Sequence, residues 1–280
     1  MASRFGITPA EVRLLVGIGT SDISDTDMNT IIEDAEYEAE RLLRTEFGNN
    51  EYEESKTSRD GSNILMATKT PVNKLVEVQV GGSSVSPKYV KFDRRSGRVV
   101  LTDNAEKTEW SDNEEKDNFL RYKYGRLEKT ATETTITSNA KAGDTSISVG
   151  TAAGFTTNDH VMIIGTGTGE TIGHQEIETV TGTAHNTISV NPLQYDHPAG
   201  NKVIKMQIPN MEKQLAKTLA GIIAAINRVG GTFKFATSYS IPEKSVTKGV
   251  PYPHFEKVLN RLTERQNELL KRLRPEIGIA

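Results

Sequence analysis

Cysteine is absent from the 280 residues, which excludes a disulfide framework, a thiolate metal site and a cysteine nucleophile. Long apolar runs are missing too. Mean hydropathy is -0.48, and no stretch approaches the roughly 18–20 apolar residues of a membrane-spanning helix. The opening Met1-Ala-Ser-Arg-Phe-Gly-Ile-Thr-Pro9 has no apolar core with a small-residue cleavage site, so no secretory signal is expected. Hydrophobic residues reach 35% and charged residues 25%, an ordinary composition for a water-facing chain, with room for one large domain or two of common size.

Charge is unevenly spread behind a net value of -3. Residues 206–280 hold 12 Lys/Arg against 6 Asp/Glu, a balance of +6, and 130–205 hold 3 against 7, a balance of -4. Residues 1–129 hold 19 against 24, a balance of -5. Such asymmetry bears on partners rather than on fold.

Two helices are expected first. Thr8, Pro9 and Glu11 form a capping box with proline at the first helical position, ahead of Val12, Leu14, Leu15 and Val16, and Gly17 and Gly19 end the run. Ser24 with Asp27 opens a longer helix whose Met28, Ile31, Ile32, Ala35, Ala39, Leu42 and Leu43 recur every three or four residues, ending near Gly48. From about residue 55 the period changes to two. Val76, Val78 and Val80 alternate before Gly81-Gly82, and Val99 to Leu101 follow an Asp93–Gly97 turn, as in a small antiparallel meander. Residues 103–118 read as a polar loop. Residues 130–205 turn rich in Thr and Gly, with short strand-like runs at 134–137, 145–149, 161–164, 176–180, 187–190 and 202–206, the spacing of a small sandwich or barrel. Helices return with Leu215, Leu219, Ile222, Ile223 and Ile226, stopping at Gly230-Gly231. After a loop, Phe255, Val258, Leu259, Leu262, Leu269, Leu270 and Leu273 mark the last helix.

Chemistry is harder to find. Gly165-Thr-Gly-Thr-Gly169 lacks the following helix that a phosphate loop needs, and reads as a hairpin turn. His160, His174, His185 and His197, with Asp159, Glu176 and Asp196, invite a metal hypothesis, but no two histidines have the spacing that puts both imidazoles on one element. No Gly-x-Ser-x-Gly elbow occurs. The expectation is therefore no enzyme, no cofactor and no metal. The last helix says more: Lys257, Arg261 and Arg265 stand at successive i+4 positions, with Lys271 and Arg272 beyond, diluted by Glu264 and Glu268. Like charges so spaced mildly oppose an isolated helix, and the stripe suits an acidic protein surface or phosphate. Aromatics are not interleaved with it, which weakens a nucleic-acid reading.

Ile7-Thr8-Pro9-Ala-Glu11-Val12, Ser24–Met28 running into the Ile31–Leu43 helix, the 70–99 hairpin stretch, Tyr122-Lys-Tyr124-Gly125 and the 237–275 pattern together resemble the head–tail connector (adaptor) proteins of tailed bacteriophages and tailed archaeal viruses. The likeness spans residues 5–128 and 207–275, and 130–205 depart from the compact form of that family. The resemblance implies a helical connector core, 1–129 with 206–280, bearing a small antiparallel β-hairpin region; with the all-β sandwich or barrel domain read at 130–205 inserted into it, the expected class is α+β. It also implies a virion protein assembled in the host cytoplasm and placed in the neck. There a ring of twelve subunits docks on the portal protein, extends the DNA channel and carries the next neck or tail-completion protein. Viral double-stranded DNA would pass through without sequence-specific binding, and no membrane is involved. Portal docking is expected through Phe255, Leu259, Arg261, Leu262, Arg265 and Arg272. Glu33, Glu36 and Glu40 are the candidates for lining the channel, because a conduit should not grip phosphates. The rival readings are a tail or receptor-binding protein whose β module binds a host-surface ligand, and a metal-dependent enzyme using the module's His, Asp and Glu residues.

Overall fold

The computed structural model describes residues 3–57, 62–86, 89–102, 109–110, 118–164, 175–230 and 252–273, the side chains of 229–230 and 252–255 excepted. The expected turn at 165–169, most of the 103–118 loop and the loop before the last helix lie outside the described residues. Helix and antiparallel sheet coexist, so the class is α+β. Strand exceeds helix, 36% against 30%, so within the α+β class the chain is mostly β.

Contacts divide the chain into two compact units, Met1–Thr45 with Pro209–Ala280, and Glu46–Ile208. The meander between 46 and 127, grouped in the sequence reading with the helices, falls by contacts with the β strands that follow it.

In the first unit, α1 (Pro9–Val16) and α2 (Asp25–Leu43) precede α3 (Asn210–Gly230) and α4 (Tyr252–Leu273). Thr8 caps α1 with the expected reciprocal pair: its Oγ1 accepts from Glu11 N at 3.3 Å, and the Glu11 carboxylate accepts from Thr8 N at 2.9 Å. Ser24 Oγ accepts from Asp27 N at 3.1 Å and starts α2. That helix ends at Leu43, before the expected Gly48, because Arg44 takes the left-handed conformation (φ 52°) that stops the ladder. α3 packs against each of the other three helices. Its Leu215, Ala216, Leu219, Ala220 and Ala224 are buried, as are Val12, Val16, Met28, Ile32 and Ala35. Each fully buried large aliphatic contributes roughly 1.5–3 kcal/mol.

The second unit holds two β layers. In the first, the sheet of β1 (Asn50–Lys56), β7 (Asn118–Tyr124), β3 (Val72–Val80) and β4 (Ser83–Val85) shares a core with the small sheet of β2 (Ile64–Met66), β6 (Arg98–Leu101) and β5 (Val90–Phe92). Val72, Leu75, Val78, Leu120 and Tyr122 meet Val90, Val99, Leu101 and Trp110 there. Gly125 adjoins this sheet at φ 125°, and a Cβ added to it would lie 2.7 Å from Gly48 O, so only glycine fits. The other layer is one six-stranded antiparallel sheet, β8-β13-β10-β11-β12-β9. Its strands are β8 (Glu128–Thr135), β9 (Ser146–Ser148), β10 (His160–Ile164), β11 (Glu176–Ala184), β12 (Thr187–Val190) and β13 (Lys202–Gln207), each overlapping one expected run. Ile147, Val161, Ile163, Val180, Ile188 and Val203 form its core. β11 of this layer contacts β3 of the other.

Candidate docking surface

The helical unit carries a cleft of about 340 Å³ lined by Glu11, Leu14 and Leu15 of α1, Lys217 of α3, and Arg261, Leu262 and Arg265 of α4. Leu14 stands 86% exposed at its edge, an unusual place for a large aliphatic side chain. Glu11 pairs with Lys217 at 3.2 Å. The Thr8 backbone N–H, the largest influence, holds the Glu11 carboxyl below its usual range; burial opposes this and Lys217 adds to it. Arg261 donates to Leu15 O at 3.0 Å and Arg265 to Gln214 Oε1 at 2.9 Å. Each contact holds one Nη2 at the cleft lining, and neither side chain has a carboxylate partner among the described residues. The cleft therefore offers an apolar knob and two cations with unspent donors, which suits a protein segment that presents apolar and acidic side chains together.

The expected docking residues separate. Arg261 and Arg265 are exposed on this cleft. Leu262 is not available to a partner: it is 1% exposed, with Cδ1 3.2 Å from where a Cβ on Gly221 would stand, so it is core between α4 and α3. Leu259 is half-buried. Arg272 pairs with Glu268 on its own helix. The Phe255 side chain lies outside the described residues.

The channel-lining expectation needs a larger correction. Glu36 is fully buried. It accepts from Ser3 Oγ, from Phe5 N at 3.1 Å and from Arg4 N at 3.2 Å. Glu40, 9% exposed, takes both Nη atoms of Arg4 at 3.2 and 3.0 Å. These two carboxylates tie the N-terminal segment onto α2 and have almost no surface to turn toward DNA. Glu33 stays half-exposed.

Among the described metal candidates, the fold unites Glu176 and His197. Nε2 of His197 lies 2.7 Å from Glu176 Oε1. Asp159 instead pairs with Lys205 at 2.7 Å, Asp196 accepts from Ala142 N at 2.8 Å, and His160 faces Thr179. His174 lies outside the described residues. No group of three or more His, Asp and Glu capable of holding a metal occurs among the described residues.

The Glu176–His197 pair belongs to a buried cluster that sequence reasoning missed. Lys74 of β3 reaches across to β11, where its Nζ contacts Glu178 Oε1, lies 3.7 Å from Glu176 Oε2 and donates to Pro192 O at 2.6 Å. Glu176 also accepts from Gln194 N at 2.8 Å and Tyr195 N at 3.2 Å. Two more bonds tie the same layers: Leu75 N to Gln194 Oε1 at 3.0 Å, and Tyr195 Oη to Val90 O at 2.9 Å. Lys74 and Glu178 are 104 residues apart, and neither sits in a local motif, so no pattern in the chain could have flagged them.

No family model matches the chain, and no curated protein does. Among solved structures, the tailspike of the Acinetobacter baumannii bacteriophage AP22, determined with an A. baumannii capsular saccharide, is similar over 29% of this chain and 15% of its own, at 16% identity and a TM-score of 0.25. A likeness of that size carries neither fold nor function across. No helix among the described residues is long and apolar enough to cross a membrane.

Proposed function

We propose that this chain is a virion structural protein, a head–tail connector subunit that docks on the portal ring through the α1–α4 cleft. The observation that carries the reading is that cleft: exposed Leu14 beside Arg261 and Arg265, neither of which has a carboxylate partner among the described residues. The helical segments on which the resemblance rests, 8–43 and 210–273, lie far apart in the chain and share one compact unit. Twelve copies closing by a heterologous contact would form the ring. It extends the DNA channel and presents a platform to the next neck or tail-completion protein. The role is one of assembly without catalysis.

Sedimentation with the portal ring from the same genome tests this. The chain should co-sediment saturably, near equal subunit numbers. Arg261→Glu with Arg265→Glu should abolish that binding while leaving the helical circular dichroism unchanged, since both side chains are exposed. A wild-type chain that stays in the supernatant at low and moderate salt overturns the connector reading. A charge-reversed chain that still binds moves the docking surface elsewhere.

A further inference from the structure

The Lys74 cluster has the parts of a condensation reaction. An amine, a carboxylic acid and a second carboxylate meet out of solvent, with side-chain exposures of 9% for Lys74 and 0% for both glutamates. Glu178 Oε1 contacts the amine, while Oε2 finds no hydrogen-bond partner among the described residues. The two glutamates are set apart by their surroundings. Burial opposes ionisation of Glu176, but the His197 hydrogen bond and the Lys74 charge outweigh it and hold that carboxyl below its usual range. Glu178 has the Lys74 amine at Oε1, but burial outweighs the pull of Lys74 and, reinforced by the charge of Glu176 and a hydrogen bond shared with it, pushes Glu178 up to about 8. Near neutral pH one is a carboxylate able to take a proton and the other an acid able to lose hydroxyl. Because a carboxylate only accepts, His197 Nε2 carries the proton of its contact with Glu176, and Nδ1 lies 3.4 Å from Asn201 Nδ2.

We propose that Lys74 and Glu178 join covalently, as an isopeptide bond between Nζ and Cδ formed by the folded chain itself. Glu176 takes a proton from the ammonium, and the free amine attacks Cδ of the Glu178 carboxylic acid. Glu176 passes that proton to the departing hydroxyl, the C–O bond breaks as the C–N bond stands, and water leaves. The surplus proton of the nitrogen returns to Glu176, so charge balances and nothing is oxidised or reduced. Holding the reacting groups together supplies an effective concentration on the order of 10⁵–10⁸ M when they are well aligned, and burial keeps out the water that would hydrolyse the product. The bond would clamp β3 to β11, and so one β layer to the other.

Mass spectrometry of the purified full-length chain decides it. The intact mass should be one water below that of the linear chain. Trypsin should fail to cut after Lys74 and should release 70–88 joined to 142–202. Asp60-Gly61 could also lose water by cyclising, so Lys74→Arg is the control: it should restore the full mass. Glu176→Gln should leave a folded protein, judged by Trp110 fluorescence, that forms the bond at least 100-fold more slowly. In chain taken into denaturant directly after cell-free synthesis, before the bond has formed, and then refolded across a pH series, the rate of water loss should fall about tenfold per unit above pH 8, as Glu178 loses the proton that makes it reactive. A wild-type chain of full mass, or a deficit of one water that survives Lys74→Arg, overturns the proposal.

Discussion

Each unit buries a glutamate that gathers backbone N–H groups, and the two differ in what stands beside it. Glu36 in the helical unit is surrounded by donors from Ser3, Arg4 and Phe5, one short stretch of chain next to solvent. Its charge is answered and its role ends at pinning that segment to α2. Glu176 in the β unit gathers Gln194, Tyr195 and His197 in the same way, but a second carboxylate and a lysine are buried with it. The surplus acid at Glu178 keeps an oxygen, Oε2, without a hydrogen-bond partner among the described residues. A satisfied buried charge is a staple, whereas a surplus one is a reactive group or a liability, because desolvation falls on whatever is left unpaired.

Truncating the two glutamates in parallel breaks the comparison most directly. Glu176→Ala should cost about 3–5 kcal/mol, because it strands two backbone N–H groups and removes a countercharge of Lys74; denaturant unfolding followed by Trp110 fluorescence measures it. Glu36→Ala should cost less, about 2–3 kcal/mol, since Arg4 keeps Glu40 and is partly exposed. Its loss is read by the circular dichroism of the helices. Equal costs would mean that the cluster around Lys74 adds nothing beyond ordinary hydrogen bonding.

Packing gives a smaller effect. Gly221→Val would press on Leu15 Cδ2, 3.0 Å from the added Cβ, and on Leu262 Cδ1. It should cost about 1–3 kcal/mol by overpacking, confined to the helical signal. Thr8→Ala comes last, at about 1 kcal/mol for a lost helix cap. Its neighbour Glu11 adds a pH signature: with its carboxyl held below the usual 4.5 in the fold, its stabilisation is present above about pH 4.5 and is lost as the pH falls through the folded value. Glu11→Gln should flatten that acid limb of the thermal-melt curve, and a limb that survives the change would place the titration elsewhere.

Much of the local structure was legible because its causes are local. A cap, a proline at the first turn and a 3.6-residue stripe act within one helix, and alternation with turn residues acts within one hairpin. What the same patterns could not say is which surface answers them. Leu262 lies on an apolar stripe that reads equally as a face for a partner, and only the approach of Gly221 shows it spent within the chain. Glu36 sits on an acidic helix face that should be wet, until residues 3–5 fold over it.

The sequence by itself determined the helices, most strands, and the absence of thiol chemistry and of long apolar spans, since short-range sterics, hydrogen bonding and composition decide those. Tertiary structure alone decided that the 46–127 strands group with 128–207, that Arg261 and Arg265 share a cleft with Leu14, and that Lys74 meets Glu178. Those outcomes depend on which distant segments exclude water together, and burial turns an ordinary lysine and glutamate into a pair able to react.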